Sequence, residues 1–260
     1  MTGRGMGVEL PEYLPSGRVV VDGQGVPLFW LSDGPAEVGV HRRLLADHGR
    51  TGLWPVIAEG HPQDPLRPWQ SGELSPQPVS DIDRYDAAAV MRGFWTDWVT
   101  PQEHEEEDHD FAELEPFGRT CPGLAEPGEA MASPEAAADW YVGELEPAAD
   151  ARLMLARVKR GADLPAMAGW DGPVNHSTDV APLLAMLRSW EERFGARVVR
   201  IGFDTLDLSI AAPPTTEEHA LHVAAEHWAF CPDNIDQGPG SLREYAAAIR
   251  GLNSWSFWWD

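Results

Sequence analysis

The stretch PPTTEEHALHVAAEHWAFCPDNIDQGPGSLREYAAAIRGLNSWSFWWD, residues 213–260, decides how the fold is read. Pro213-Pro214 interrupts whatever precedes it, and Thr215 with Glu218 forms a capping box that opens a helix to about Phe230. Pro232 cannot continue that helix. Gly240-Ser241 opens another, and the closing Trp255-Ser256-Phe257-Trp258-Trp259 has a period of two. As a strand it puts Trp255, Phe257 and Trp259 on one face, and Trp258 on the other with Ser254 and Ser256.

Upstream, Val180, Leu183, Leu187, Trp190 and Phe194 form one helical stripe that Gly195 ends. Arg197 to Phe203 and Leu206 to Ala211 read as a hairpin around Asp204-Thr205. In its second strand Leu206, Leu208 and Ile210 alternate with Asp207 and Ser209, which predicts one core face and one wet face. With the helix that Ser133-Pro134-Glu135 starts and a both-faces-apolar central strand at Ala151 to Val158, this defines a C-terminal α-β-β-α-α-β domain over residues 133–260.

Residues 1–100 read as an N-terminal α/β region. The first 17 are Gly/Pro-rich and loose. Val19 to Val21 and Pro27 to Ser32 are strands. Asp33-Gly34-Pro35 starts a helix capped by Gly49, and Leu53 to Ala58 is a strand expected to pair in parallel with the one before the helix. Residues 59–80 are a proline-rich loop pinned by Trp69, and a helix runs from Ser80 to about Trp98. Residues 101–132 are an acidic linker, because QEHEEEDHDFAELE (102–115) holds eight carboxylates that repel one another. His104 and His109 lie in it as weak, unfixed metal ligands at most. The fold class is α+β, a mixed sheet flanked by helices.

Composition limits the function. A net charge of −23 disfavours a phosphate backbone, so nucleic acid is not an expected partner, and a protein with a basic surface suits the field better. Two distant cysteines, Cys121 and Cys231, make neither a disulfide framework nor a CxxC zinc pair. No apolar run reaches the roughly 18 residues of a membrane span, and the first residues lack a signal-peptide core, so the expected compartment is the cytoplasm. No Walker A, GxGxxG, GxSxG or zinc-deaminase pattern occurs. No metal and no cofactor is expected.

The candidate chemistry lies on the 216–230 helix and just beyond. His219, His222 and Glu226 are spaced i, i+3, i+7, a face that could hold a metal or a proton relay, or simply meet solvent. His222 and His227 are not a zincin pair, since five residues turn the helix by about 140° from one to the other. His227, Cys231 and Asp233 are better placed, because His227 lies one turn before the thiol and could activate it. Against that, Cys231 sits at a helix C-terminus, where the dipole opposes a thiolate. The catalytic candidates are therefore Glu226, His227, Cys231 and Asp233, beside the plainer reading that they are scaffold. Trp69, Trp170 and Trp258 are candidates for lining a groove for a partner or an aromatic ligand, beside the plainer reading that they pack in the core.

The words LRSWEERFGARVV (187–199), PPTTEEHALHVAAEHWAFCPDNIDQG and SWSFWWD together resemble the bacterial domain family of unknown function DUF4253, over about residues 150–260. The pieces TGLWPVIAEG (51–60) and RPW-SGEL, from Arg67 to Leu74, resemble the N-terminal half of longer actinobacterial members. The resemblance implies no activity, cofactor or partner. Glu226, His227, Cys231, Pro232, Asp233 and the WWD ending belong to its pattern, whereas His219 and His222 do not.

The resulting expectation is a cytoplasmic, non-enzymatic protein-interaction module, for which an immunity or toxin-neutralising role would suit an acidic chain. The alternative is a hydrolase or transferase using the His/Cys/Asp cluster in a Trp-lined pocket.

Overall fold

A computed structural model describes residues 7, 9–100 and 111–260. The middle of the acidic run, with His104 and His109, lies outside them, as does most of residues 1–8. In chain order the elements are β1 (Gly17–Val21), β2 (Pro27–Pro35), α1 (Val38–Thr51), β3 (Leu53–Ala58), α2 (Val79–Ile82), α3 (Ala87–Val99), α4 (Pro134–Glu144), β4 (Arg152–Arg157), α5 (Leu164–Ala168), α6 (Ala181–Phe194), β5 (Arg197–Ile201), β6 (Thr205–Ser209), α7 (Glu217–Phe230), α8 (Asp233–Asp236), α9 (Leu242–Ile249) and β7 (Ser254–Trp258).

The strands form one mixed sheet in the order β1-β2-β4-β3-β5-β6-β7. Its one parallel pair is β3 with β5, and every other neighbouring pair is antiparallel. This corrects the expected pairing of β2 with β3. The two do run in the same direction, but β4 lies between them and is antiparallel to both. β4 is apolar on both faces, so it fits that central slot.

Both faces of the sheet are covered. On the first, Trp30, Leu44, Leu53, Leu153 and Leu155 form a compact cluster. Leu10, Tyr13 and Leu14 pack on it, so residues 9–16 are not the loose segment expected. The second face carries the main core. There the apolar stripe of α6 and the inward face of β7 meet, and the Trp190 and Phe257 rings stack with centroids 5.4 Å apart. Fully burying an apolar side chain of this kind stabilises by about 1.5–3 kcal/mol, which is what the even spacing of Trp255 and Phe257 achieves.

Several local boundaries differ from the sequence reading. β2 continues through Asp33-Gly34-Pro35 because Pro35 pairs with Arg152 of β4, and α1 starts only at Val38. Its left-handed cap is Gly52 (φ 69°), not Gly49, because the chain must turn directly into the buried β3. The helix expected from Ser80 breaks after α2, since the Asp86 side chain accepts from Ala89 N–H and starts α3. Thr216, not Thr215, caps α7, its hydroxyl accepting from His219 N–H. Gly195 (φ 59°) ends α6 as expected.

The wet face expected on β6 is dry. Asp207 and Ser209 are buried, because α4 packs across β5 and β6 on that side. Arg200 bonds the Asp207 carboxylate there and also reaches Glu59 at 3.3 Å. The described part of the acidic segment, residues 111–132, is strapped onto the body rather than held out in solvent. Leu114 is fully buried, Gly128 N–H donates to Arg193 C=O, and Met131 N–H to Ala211 C=O.

Candidate functional site

The second half of α7 carries the family-like residues, and each of its polar groups turns inward. Glu226 is fully buried. A buried carboxylate is tolerable only when it is paired and hydrogen-bonded. Its Oε1 accepts from Ala125 N–H and Arg193 Nη1, both at 2.8 Å. Its Oε2 accepts from Arg193 Nη2 and from Trp190 Nε1, the latter at 2.8 Å. Four donors fill about all the acceptor positions a carboxylate has. Nothing remains for a substrate proton or a metal.

His227 is also fully buried, one position further on. Aromatic rings enclose it: Trp255 at 4.4 Å, Phe257 at 4.9 Å and Trp190 at 5.1 Å between centroids. Burial, with help from the nearby Arg193 charge, holds its pKa down to about 3, so the ring is neutral at neutral pH. Its Nδ1 lies 3.1 Å from the Tyr245 hydroxyl. That hydroxyl accepts from Asn234 Nδ2 at 3.2 Å, so its own proton is free to point at the imidazole. Nδ1 is then the acceptor and Nε2 carries the hydrogen. The Nε2 atom has no protein partner.

Cys231 ends α7 and is buried, and burial pushes its thiol pKa up to about 12. The thiol lies 3.0 Å from Trp258 C=O and 3.5 Å from Asn234 Oδ1. The expected His227–Cys231 couple is therefore not assembled for thiolate formation. The imidazole nitrogen that could take the proton bonds Tyr245 instead, and no positive charge sits at the sulfur.

Asp233 pairs elsewhere as well. Its Oδ2 lies 2.8 Å from His176 Nε2 and accepts from Asp260 N–H at 3.0 Å, while Oδ1 accepts from Gln237 at 3.1 Å. Nothing in the sequence marks His176 as its partner. It lies in a loop without periodicity, 57 residues from its partner, and its neighbours Gly172 and Pro173 signal only a turn. The His176 ring also meets Trp98 edge-on at 5.7 Å.

The remaining residue of the CPDN turn, Asn234, bonds β7 directly. Trp258 N–H donates to its Oδ1 at 3.0 Å and its Nδ2 donates to Ser256 C=O at 2.6 Å. Cys231, Asp233 and Asn234 thus fasten the last strand to the end of α7. The words CPDN and SWSFWWD are two sides of one clasp.

Of the three tryptophan candidates, Trp69 and Trp170 are buried in the core instead of facing a groove. Trp69 is fully buried with its indole N–H on Glu59 C=O at 2.9 Å, and Trp170 bonds Gly202 C=O at 2.8 Å. Trp258 presents a partly open ring, 39% exposed. His219 and His222 occupy the outer side of α7, but Glu226 does not join them. His219 Nε2 is 2.8 Å from Glu126 C=O, and His222 Nδ1 is 3.0 Å from Glu218 C=O with Phe117 edge-on at 5.1 Å. Two adjoining cavities of about 400 and 460 Å³ flank this half of the helix and share Glu218 and His222. Among the described residues no group of three or more His, Cys, Asp or Glu is placed to hold a metal. None of their helices is long and apolar enough to cross a membrane.

The fold and site define a mixed-sheet α+β protein whose distinctive motif residues tie its own last strand in place. Residues 152–260, from the first residue of β4 to Asp260, match the model of the family described as domain of unknown function (DUF4253). No curated protein and no solved structure matches the chain.

Proposed function

We propose that the chain is a non-catalytic, cytoplasmic interaction module for a protein with a basic surface, with an immunity-like, neutralising role as its most specific form. The observation that carries this reading is the inward turn of Glu226, His227, Cys231 and Asp233, whose polar atoms bond the chain itself, His227 Nε2 excepted, and that atom is sealed from solvent. A catalytic acid, base or nucleophile keeps a lone pair or proton facing its reactant. The groove along the first half of α7 suits a partner of that charge. Glu126, Glu217 and Glu218 line its two cavities together with Phe117, Leu124 and Leu221 and with His219 and His222, so acidic and apolar groups share the groove. A net charge of −23 steers a cationic partner toward the molecule. The two free cysteines accord with a reducing compartment.

Affinity capture from the native host with the wild-type chain and a Glu217→Lys/Glu218→Lys variant tests the reading. The expected result is one basic protein retained by the wild type, released by raised salt and lost from the variant. Retention that ignores the charge reversal, or substrate turnover that His227→Gln abolishes in a folded protein, overturns it.

A further inference from the structure

A cleft of about 510 Å³ opens where β4 ends, lined by none of the candidate site residues described above. Four cationic side chains line it: Arg157, Lys159, Arg160 and Arg188. They face two carboxylates there, Asp83 and Asp163, in a chain whose acids outnumber its bases 42 to 19. Glu191 and Glu192, outside the lining, pair with Arg160, so the cleft is about balanced in charge where the molecule is strongly acidic. Lys159 is also the chain's one lysine.

The four cations divide into two kinds. Arg188 and Arg160 are held: Arg188 donates to Asp163 and to Asp83, each at 2.6 Å, and Arg160 reaches Glu191 at 3.1 Å and Glu192 at 3.0 Å. Among the described residues Arg157 and Lys159 have no carboxylate partner, and the Arg157 guanidinium donates to the Gly7 carbonyl at 3.3 Å. Cations fixed by carboxylates make a rigid wall, and cations without one are available to a ligand. Val79 and Met167, both half-buried, add an apolar side to the same cleft.

We infer that this cleft binds a small organic anion, its phosphate or carboxylate group on Arg157 and Lys159 and its apolar body against Val79 and Met167. The site is distinct from the α7 groove proposed for a basic partner, and the ligand has the opposite charge.

Isothermal titration of the full chain with phenyl phosphate and, separately, with benzoate tests the inference. Four proteins are compared: wild type, Lys159→Gln, Arg157→Gln/Lys159→Gln, and Arg250→Gln as a remote control. The expected result is saturable binding of at least one probe, weakened tenfold or more in the double variant and unchanged in Arg250→Gln. It should also weaken as salt rises, because the two cations are exposed. Binding of phenyl phosphate alone assigns a phosphate ligand, and binding of both assigns the carboxylate as sufficient. Both changed residues are exposed, so thermal unfolding should coincide with wild type and exclude misfolding as the cause. Absence of saturable binding for both probes, or equal affinity in the double variant, overturns the inference. Capture of a basic protein by the double variant is expected to persist, which keeps failure here separate from failure of the interaction reading.

Discussion

The Asn234 carboxamide stands where a neighbouring strand would stand beside Trp258: it accepts Trp258 N–H at 3.0 Å and donates to Ser256 C=O at 2.6 Å. β7 is the last strand of the sheet, and an unpaired edge leaves backbone groups open. One side chain supplies two of those missing bonds. The same Nδ2 reaches the Tyr245 hydroxyl at 3.2 Å, which continues to His227. The edge of the sheet, the CPDN turn and the buried imidazole are thus one hydrogen-bonded chain.

Replacing Asn234 by Ala removes the clasp without adding charge. The expected loss is about 1–3 kcal/mol, the usual cost of leaving partly buried donors and acceptors unmade. Urea unfolding checks this, and a midpoint within error of wild type would show that water replaces the carboxamide at no cost.

Glu226→Gln leaves the largely covered Arg193 guanidinium without its counter-charge. The expected destabilisation is about 3–5 kcal/mol. Converting the pair together, Glu226→Gln with Arg193→Met, should recover much of that loss, because it removes the orphaned charge while a carboxamide oxygen remains for the Ala125 and Trp190 donors. Chemical denaturation of both proteins makes the comparison, and a double variant less stable than Glu226→Gln would contradict it.

His227 makes stability depend on pH with a definite sign. Its pKa is about 3 in the fold against 6.5 for an ordinary imidazole, so the unfolded chain binds the proton more readily. Its contribution is complete above pH 6.5 and is lost progressively as pH falls toward 3, at up to about 1.4 kcal/mol per pH unit. His41, also fully buried and held down to about 4 by burial, acts in the same direction. In His227→Gln the fall in stability between pH 6.5 and 4 should be shallower than in wild type. Parallel curves from urea unfolding at each pH would refute the role given to His227.

Cys231 should resist alkylation in the folded protein. Its thiol pKa is pushed up to about 12 by burial, whereas Cys121 is only half-buried. Iodoacetamide at pH 8 is expected to label Cys121 first and Cys231 only on unfolding, as peptide mass mapping would record. Rapid native labelling of Cys231 would restore it as a nucleophile.

What could be read from the chain was local. The stripe from Val180 to Phe194, the Gly195 cap and the alternation in SWSFW each state their structure within a few residues. The insertion of β4 between β2 and β3 has no such signature, since strand order is set by which long-range surfaces fit. Asp207 and Ser209 looked wet because the helix that covers them, α4, lies more than 60 residues earlier. The candidate site was located but not assigned. His227, Cys231 and Asp233 are close in sequence and do lie close together, yet their partners Tyr245, Trp258 and His176 come from three other segments. Spacing alone pairs neighbours along the helix, and here the bonds run outward from each residue instead.

The central claim is that the imidazole of His227 is a sealed scaffold group rather than a reacting one. Nuclear magnetic resonance of its ring nitrogens across pH 8 to 4.5 measures this directly. The account predicts a neutral ring with hydrogen on Nε2 throughout that range. A titration midpoint near 6.5 would contradict it.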